Sequence, residues 1–210
     1  MFREHVAAGA VISMVVVVGV YFYALVTEPW LLALLFGVAI VGSFLPDVDS
    51  DSGIPFYLVF GTATLAATGV VLLYTLSSEY AGDWKTLVGI PAVAVLFFWF
   101  VVGGIVKHYT HHRGIFHSIP ALAIASAATF LLARNYGLDD TVALVFTGAM
   151  AVGFASHLIL DEMHSFVDFQ GLPFIPNKAA GTALKIFSDS NYVNMATYLL
   201  LVALVYRALS

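Results

Sequence analysis

The chain has 210 residues, is 61% hydrophobic and 10% charged, and carries a net charge of −5. Soluble domains carry about a quarter charged residues, so an ordinary water-soluble fold is excluded and the mean hydropathy of +0.96 makes lipid the natural solvent. Eight scattered Lys and Arg give no basic footprint for nucleic acid; with no cysteine, any metal must be held by nitrogen and oxygen.

Taken in order, the apolar runs predict an all-α polytopic bundle of about seven membrane spans in a single domain over residues 1–210. They cover roughly Val6–Val26, Trp30–Leu45, Pro55–Leu76, Leu87–Val106, Ser118–Ala133, Thr141–Leu160 and Tyr192–Tyr206. The second, fifth and seventh are short, so six full spans is the alternative. Helices are expected because lipid leaves no other way to satisfy backbone polar groups, and the alternation of a membrane barrel is missing. The first run follows Arg3 but exceeds a signal-peptide core, and no small-x-small cleavage site follows it. It reads as a retained span that keeps His5. The longest polar connection, Glu162–Asn191, holds Gly171, Pro173 and Pro176 and belongs at or outside the interface.

If seven helices alternate, one membrane face receives the N-terminus and the connections after spans two, four and six. Those places hold His5, Asp47 and Asp49, His112 and His117, and His157 with Asp161. All seven histidines fall on that side, whereas the other receives Glu28, Glu79, Asp83, Asp139 and Asp140. The histidine side also has Arg3, Lys107, Arg113, Lys178 and Lys185, against Lys85, Arg134 and Arg207 opposite. The positive-inside rule then turns the His/Asp side toward the cytoplasm of a prokaryotic cytoplasmic membrane.

His157 and Asp161 are four apart on a helix and share one face, where two side chains can reach one cation. Gly153, one turn earlier, lets a neighbouring helix approach, which makes this the packed face. Asp47 and Asp49 follow Pro46, and a cation relieves the repulsion of neighbouring carboxylates. His112 and His117 flank Arg113 and Gly114, whose turn can bring both imidazoles together, while Arg113 offers a fork for phosphate oxygens. Each has a plainer reading: a polar helix end, a solvated acidic turn, a basic loop at the headgroups, and for His5 an incidental terminal histidine. Ser118 and Ser156 adjoin histidines in sequence only, which is no evidence for a serine nucleophile. Gathered on one face, four imidazoles and three carboxylates suffice for one or two divalent ions with positions open to water. Zn²⁺ suits such ligands, and Mn²⁺ or Fe²⁺ are the alternatives.

At these residues the chain resembles the membrane-bound, metal-dependent hydrolase family that includes the YdjM-like proteins. The resemblance rests on His5, Leu45-Pro46-Asp47-Val48-Asp49, His112-Arg113-Gly114-Ile115-Phe116-His117-Ser118, Gly153-Phe154-Ala155-Ser156-His157-Leu158-Ile159-Leu160-Asp161, and the segment from Gly171 to Pro176. It spans the chain from His5 to Pro176 and implies His5, Asp47, Asp49, His112, His117, His157 and Asp161 as metal ligands. It also implies a distant likeness to zinc-dependent phospholipases C. Ser50 stands where the family often has histidine, so either His164 or His111 substitutes or one metal position is weaker.

The expected function is hydrolysis of a phosphoester or phospholipid bond at the membrane surface by a metal-activated water. Asp49 or Asp161 takes the proton and Arg113 binds phosphate. Membrane lipid is then both surroundings and candidate substrate. The alternatives are a divalent-cation or proton transporter and a non-catalytic metal-binding membrane protein.

Overall fold

A computed structural model describes residues 2–49, 54–78, 82–104, 114–166 and 184–210. Among them are seven α-helices: α1 Phe2–Phe22, α2 Pro29–Phe44, α3 Ile54–Leu76, α4 Trp84–Leu96, α5 Ile119–Asn135, α6 Asp140–Phe166 and α7 Asn191–Leu209. A 3-10 turn, Leu45–Asp49, follows α2, and a π-helical stretch, Phe97–Val102, prolongs α4. Among the described residues four stretches are long and apolar enough to cross a membrane: Pro29–Asp47, Trp84–Val102, Asp140–Ser165 and Asn191–Leu209. Ala7–Phe22, Phe60–Leu76 and Ile119–Asn135 are apolar but shorter. The protein is thus an all-helical membrane protein. Outward residues such as Val15, Phe22, Leu65, Val93, Leu199 and Val202 are exposed and apolar, as a lipid-facing surface requires.

The helix limits follow local chemistry more than hydropathy. The apolar run of α1 continues to Val26, yet the helix ends near Phe22 because Ala24 turns left-handed, with φ of 51°. Its amide reaches the Tyr21 carbonyl and the Leu25 amide reaches Val20, the paired bonds of a Schellman stop. The same device ends α5 at Gly137, φ 79°, where glycine meets no steric cost. Ala24→Gly should therefore raise stability by about 0.5–1 kcal/mol, since an L-residue in this region is strained by about 1–2 kcal/mol. Thermal unfolding in detergent micelles measures it. α4 starts earlier than its apolar run because Asp83 caps it, accepting from the Lys85 amide at 3.1 Å. The Thr86 hydroxyl and that amide hold the Asp83 carboxyl below its usual range. Asp139 caps α6, its Oδ1 accepting from the Thr141 and Val142 amides at 2.9 and 3.0 Å.

The chain divides into two compact units. Val48–His112 forms one, in which α3 pairs with α4 and its π-helical extension. There Trp99 stacks on Tyr57 with ring centroids 6.1 Å apart and lies 5.9 Å from Phe60. The other unit, Met1–Asp47 with Arg113–Ser210, is built around α6, which packs against α1, α2 and α5; α7 lies along α5. Its core joins Leu31, Leu35 and Ala39 of α2 to Phe146 and Ala149 of α6.

At the far end of that core the helices meet through small residues. A Cβ on Gly42 would sit 2.7 Å from the Met150 carbonyl oxygen, and one on Gly153 would run into the Ala39 carbonyl. A Cβ on Gly9 of α1 would collide with the Ser43 side chain. Between lipid-solvated helices such close backbone approach replaces hydrophobic burial as the cohesive contact. It also fixes the register of α2 against α6 to within one residue, and this places the site.

Candidate metal centre

Three segments bring polar side chains to one buried point. The α-helical path of α2 ends before Pro46, and the tighter 3-10 turn carries Asp47 inward. In 3-10 spacing the donor to the Ser43 carbonyl would be residue 46, and a proline has no N–H to give. That carbonyl instead accepts from His157 Nδ1 across 2.7 Å. His117 enters on a tight turn closed by its amide to the Gly114 carbonyl at 3.2 Å. Ser118 then caps α5, its Oγ accepting from the Ala121 amide at 3.3 Å and donating to the Ile115 carbonyl. The Ile119 amide bonds the Lys185 carbonyl at 3.1 Å, which ties the segment before α7 to this turn.

His117 and His157 are both fully buried, with ring centroids 5.3 Å apart. His117 Nε2 lies 3.5 Å from Asp47 Oδ1 and 3.4 Å from Asp161 Oδ2. His157 Nε2 lies 3.5 and 3.7 Å from the same two oxygens. Ligand atoms of Asp47, His117 and His157 all fall within 4.8 Å of one another, so this buried group can hold a metal ion.

Two observations make the donor set fit a cation. The bond to the Ser43 carbonyl requires the proton on Nδ1, which leaves the Nε2 lone pair of neutral His157 facing two carboxylate oxygens. Acceptors gathered this closely in a buried place repel unless positive charge lies among them. Second, a tetrahedral ion with bonds of about 2.0–2.1 Å sets its ligands about 3.3–3.4 Å apart. The separations of Asp47 Oδ1 from the two Nε2 atoms, 3.5 Å each, are near that spacing.

Depth follows from α6. Asp161 stands twenty-one residues after Asp140 at the opposite end of the helix. At 1.5 Å per residue that is about 32 Å, close to the ~30 Å hydrocarbon thickness. The helix runs on to Phe166. Asp161 therefore lies near the headgroup boundary, and Asp47, the most open of the four with 15% side-chain exposure, lies beside it.

Of the residues singled out from sequence, Asp47, His117, His157 and Asp161 meet at this point. His5 belongs to α1, one turn ahead of Gly9, and Asp49 to the 3-10 turn, but their side chains lie outside the described residues, as do His108, His111, His112 and Arg113 entirely. His164, read as a substitute ligand, directs Nδ1 to its own helix at the Leu160 carbonyl, 2.7 Å away. The Ser43 carbonyl was not foreseen. A backbone acceptor leaves no mark in sequence beyond the proline three residues later.

No curated protein and no solved structure matches the chain. A family model does, and its match runs over residues 1–209, which takes in every segment of the buried centre. The chain belongs to the YdjM inner membrane protein family.

Proposed function

We propose that this protein is a metal-dependent hydrolase that cleaves a phosphoester or phospholipid bond at the membrane surface. The observation that carries this reading is the composition of the buried centre: two imidazoles and one carboxylate in mutual reach, with a second carboxylate against both imidazoles. Three protein ligands are the complement of a catalytic ion, which keeps a further position for water or substrate. Zn²⁺ fits this donor set best, with Mn²⁺ or Fe²⁺ as alternatives. Such an ion supplies Lewis-acid polarisation of a phosphoryl oxygen and lowers the pKa of water to near neutrality.

The chain's own residues do the rest. Asp47, His117 and His157 hold the ion, and the Ser43 carbonyl fixes the His157 ring and its tautomer. Asp161 Oδ2, within 3.7 Å of both imidazole nitrogens, accepts the proton of the attacking water. Arg113, next to the Gly114 turn, receives the phosphate. The family resemblance adds His5, Asp49 and His112 to the proposed ligands, enough donors for a second ion. The scissile bond of a phospholipid lies at headgroup depth, where Asp161 stands. The histidine-bearing side faces the cytoplasm of a prokaryotic cytoplasmic membrane, in keeping with its excess of Lys and Arg. Transport is the weaker reading, because transporter sites lie near the bilayer midplane on broken helices.

Asp161→Asn separates the roles. It should retain metal while turnover of phospholipid and phosphoester substrates falls by about 10²–10⁴-fold, the usual share of general-base catalysis. Metal-loaded protein in bilayers that cleaves none of these substrates, yet passes divalent ions into proteoliposomes, would replace this reading with transport.

A further inference from the structure

Beside the metal centre lies a second feature that polar chemistry does not explain. A cavity of about 350 Å³ opens between α5, α6 and α7. Its upper wall is made by the sequence neighbours of the metal-centre residues: Leu45, two before Asp47; Phe116, next to His117; and Phe154, one turn before His157. From there it descends along Ala121, Ile124 and Ala125 of α5 and Ala196 and Leu200 of α7. Among the described residues Thr197 is the only hydroxyl-bearing one of the lining, and its Oγ1 donates to the Val193 carbonyl at 2.8 Å. That bond turns the oxygen into its own helix and leaves the methyl to the cavity.

We propose that this cavity is the binding slot for one fatty-acyl chain of a phospholipid whose phosphate end reaches the metal centre. The claim that this lipid is the substrate rests on the hydrolase reading above; the slot itself does not. Four observations choose the occupant. Among the described residues no charged side chain lines the cavity, and the lining they form is apolar. Its size is within the ~300–1,000 Å³ of small-molecule sites. Its direction is that of a lipid tail: Ala121 to Ala125 and Ala196 to Leu200 lie in the N-terminal halves of helices that start on the metal-centre side and run into the membrane. Finally, α7 has no buried residue and packs along α5, so the slot is separated from the surrounding acyl chains by one thinly held helix. A tail entering beside α7 would place the headgroup against Phe116 and Leu45, and therefore beside His117 and Asp47.

The test uses the full chain, metal-loaded, in phosphatidylethanolamine vesicles with a small fraction of the same lipid carrying a diazirine in one acyl chain. After irradiation, adducts mapped by mass spectrometry should concentrate on Ala121, Ile124, Ala125, Ala196 and Leu200. Ala196→Trp, which fills the slot from α7, should abolish them with metal content per chain unchanged. Ala125→Trp fills it from the opposite wall and guards against one variant misfolding. Adducts spread evenly over outward residues such as Val15, Phe22, Leu199 and Val202 would overturn the proposal. So would slot adducts that survive both tryptophans, or a slot occupied by the chain itself and yielding no lipid adduct. Slot adducts in a protein that hydrolyses no lipid would sink the hydrolase reading and leave the slot standing. Hydrolysis of a short soluble phosphoester without slot adducts would do the reverse.

Discussion

Asp47→Ala is expected to purify with no bound metal and with clearly lowered thermal stability. Asp47 Oδ1 lies 3.5 Å from both buried Nε2 atoms, so its removal takes away one of the three candidate ligands and the carboxylate nearest both imidazoles besides Asp161. Breaking a buried charged cluster from one side costs about 3–5 kcal/mol. The effect on metal is the diagnostic part. For the wild type, an added ion at a hundred times its dissociation constant stabilises by about 2.7 kcal/mol, and unfolding should shift upward on titration with Zn²⁺. The variant's unfolding should not move. His117→Ala should behave likewise, and a chelator should bring the wild type to the same baseline. Asp140→Ala is the control: its side chain is 71% exposed and its partner Arg134 is at the surface, so stability should change by no more than about 0.5 kcal/mol. Full metal in Asp47→Ala, measured by elemental analysis, would remove the metal centre from consideration.

The second large effect comes from a residue that touches no ligand. Gly153→Ala places a methyl where the Ala39 carbonyl stands, and backbone on both sides leaves α2 and α6 no choice but to separate. Overpacking of this kind costs about 3 kcal/mol, at the top of its usual range. Because Ser43 is one turn from Ala39, the separation also lengthens the His157 Nδ1 bond, now 2.7 Å. Loss of such an outer support weakens metal binding by about 10–100-fold. Gly148→Ala on the same helix meets nothing within 4 Å; it should leave metal binding intact and gain about 0.5–1 kcal/mol of helix propensity. Equal behaviour of the two variants in metal titration and unfolding would mean that the α2–α6 approach does not position the centre.

Much of this arrangement was legible in the sequence because two signals are robust in lipid. Apolar run length locates helices, and alternation then assigns each polar end to a face. That reasoning put Asp47, His117, His157 and Asp161 on one side, and Gly153 marked the face that packs. The helix ends were less legible. Trp84, Lys85 and Thr86 look like loop by hydropathy, but Asp83 starts a helix there. Polar Asp161, Glu162 and His164 end the apolar run without ending α6. At Ala24 the chain stops α1 with no glycine to announce it. Hydropathy measures the solvent a segment prefers, whereas helix ends are set by capping bonds, and these depend on single residues.

The His157–Ser43 bond spans 114 positions of the chain, and this separation orders the protein's biogenesis. Transmembrane helices insert first and associate afterwards. Asp47 enters the bilayer with the second helix, His117 with the fifth, and His157 and Asp161 only with the sixth. A nascent chain therefore carries lone carboxylates and imidazoles at the membrane surface until α6 arrives and docks through Gly153. Closure of the centre is a late event that awaits the docking of α6 against α2.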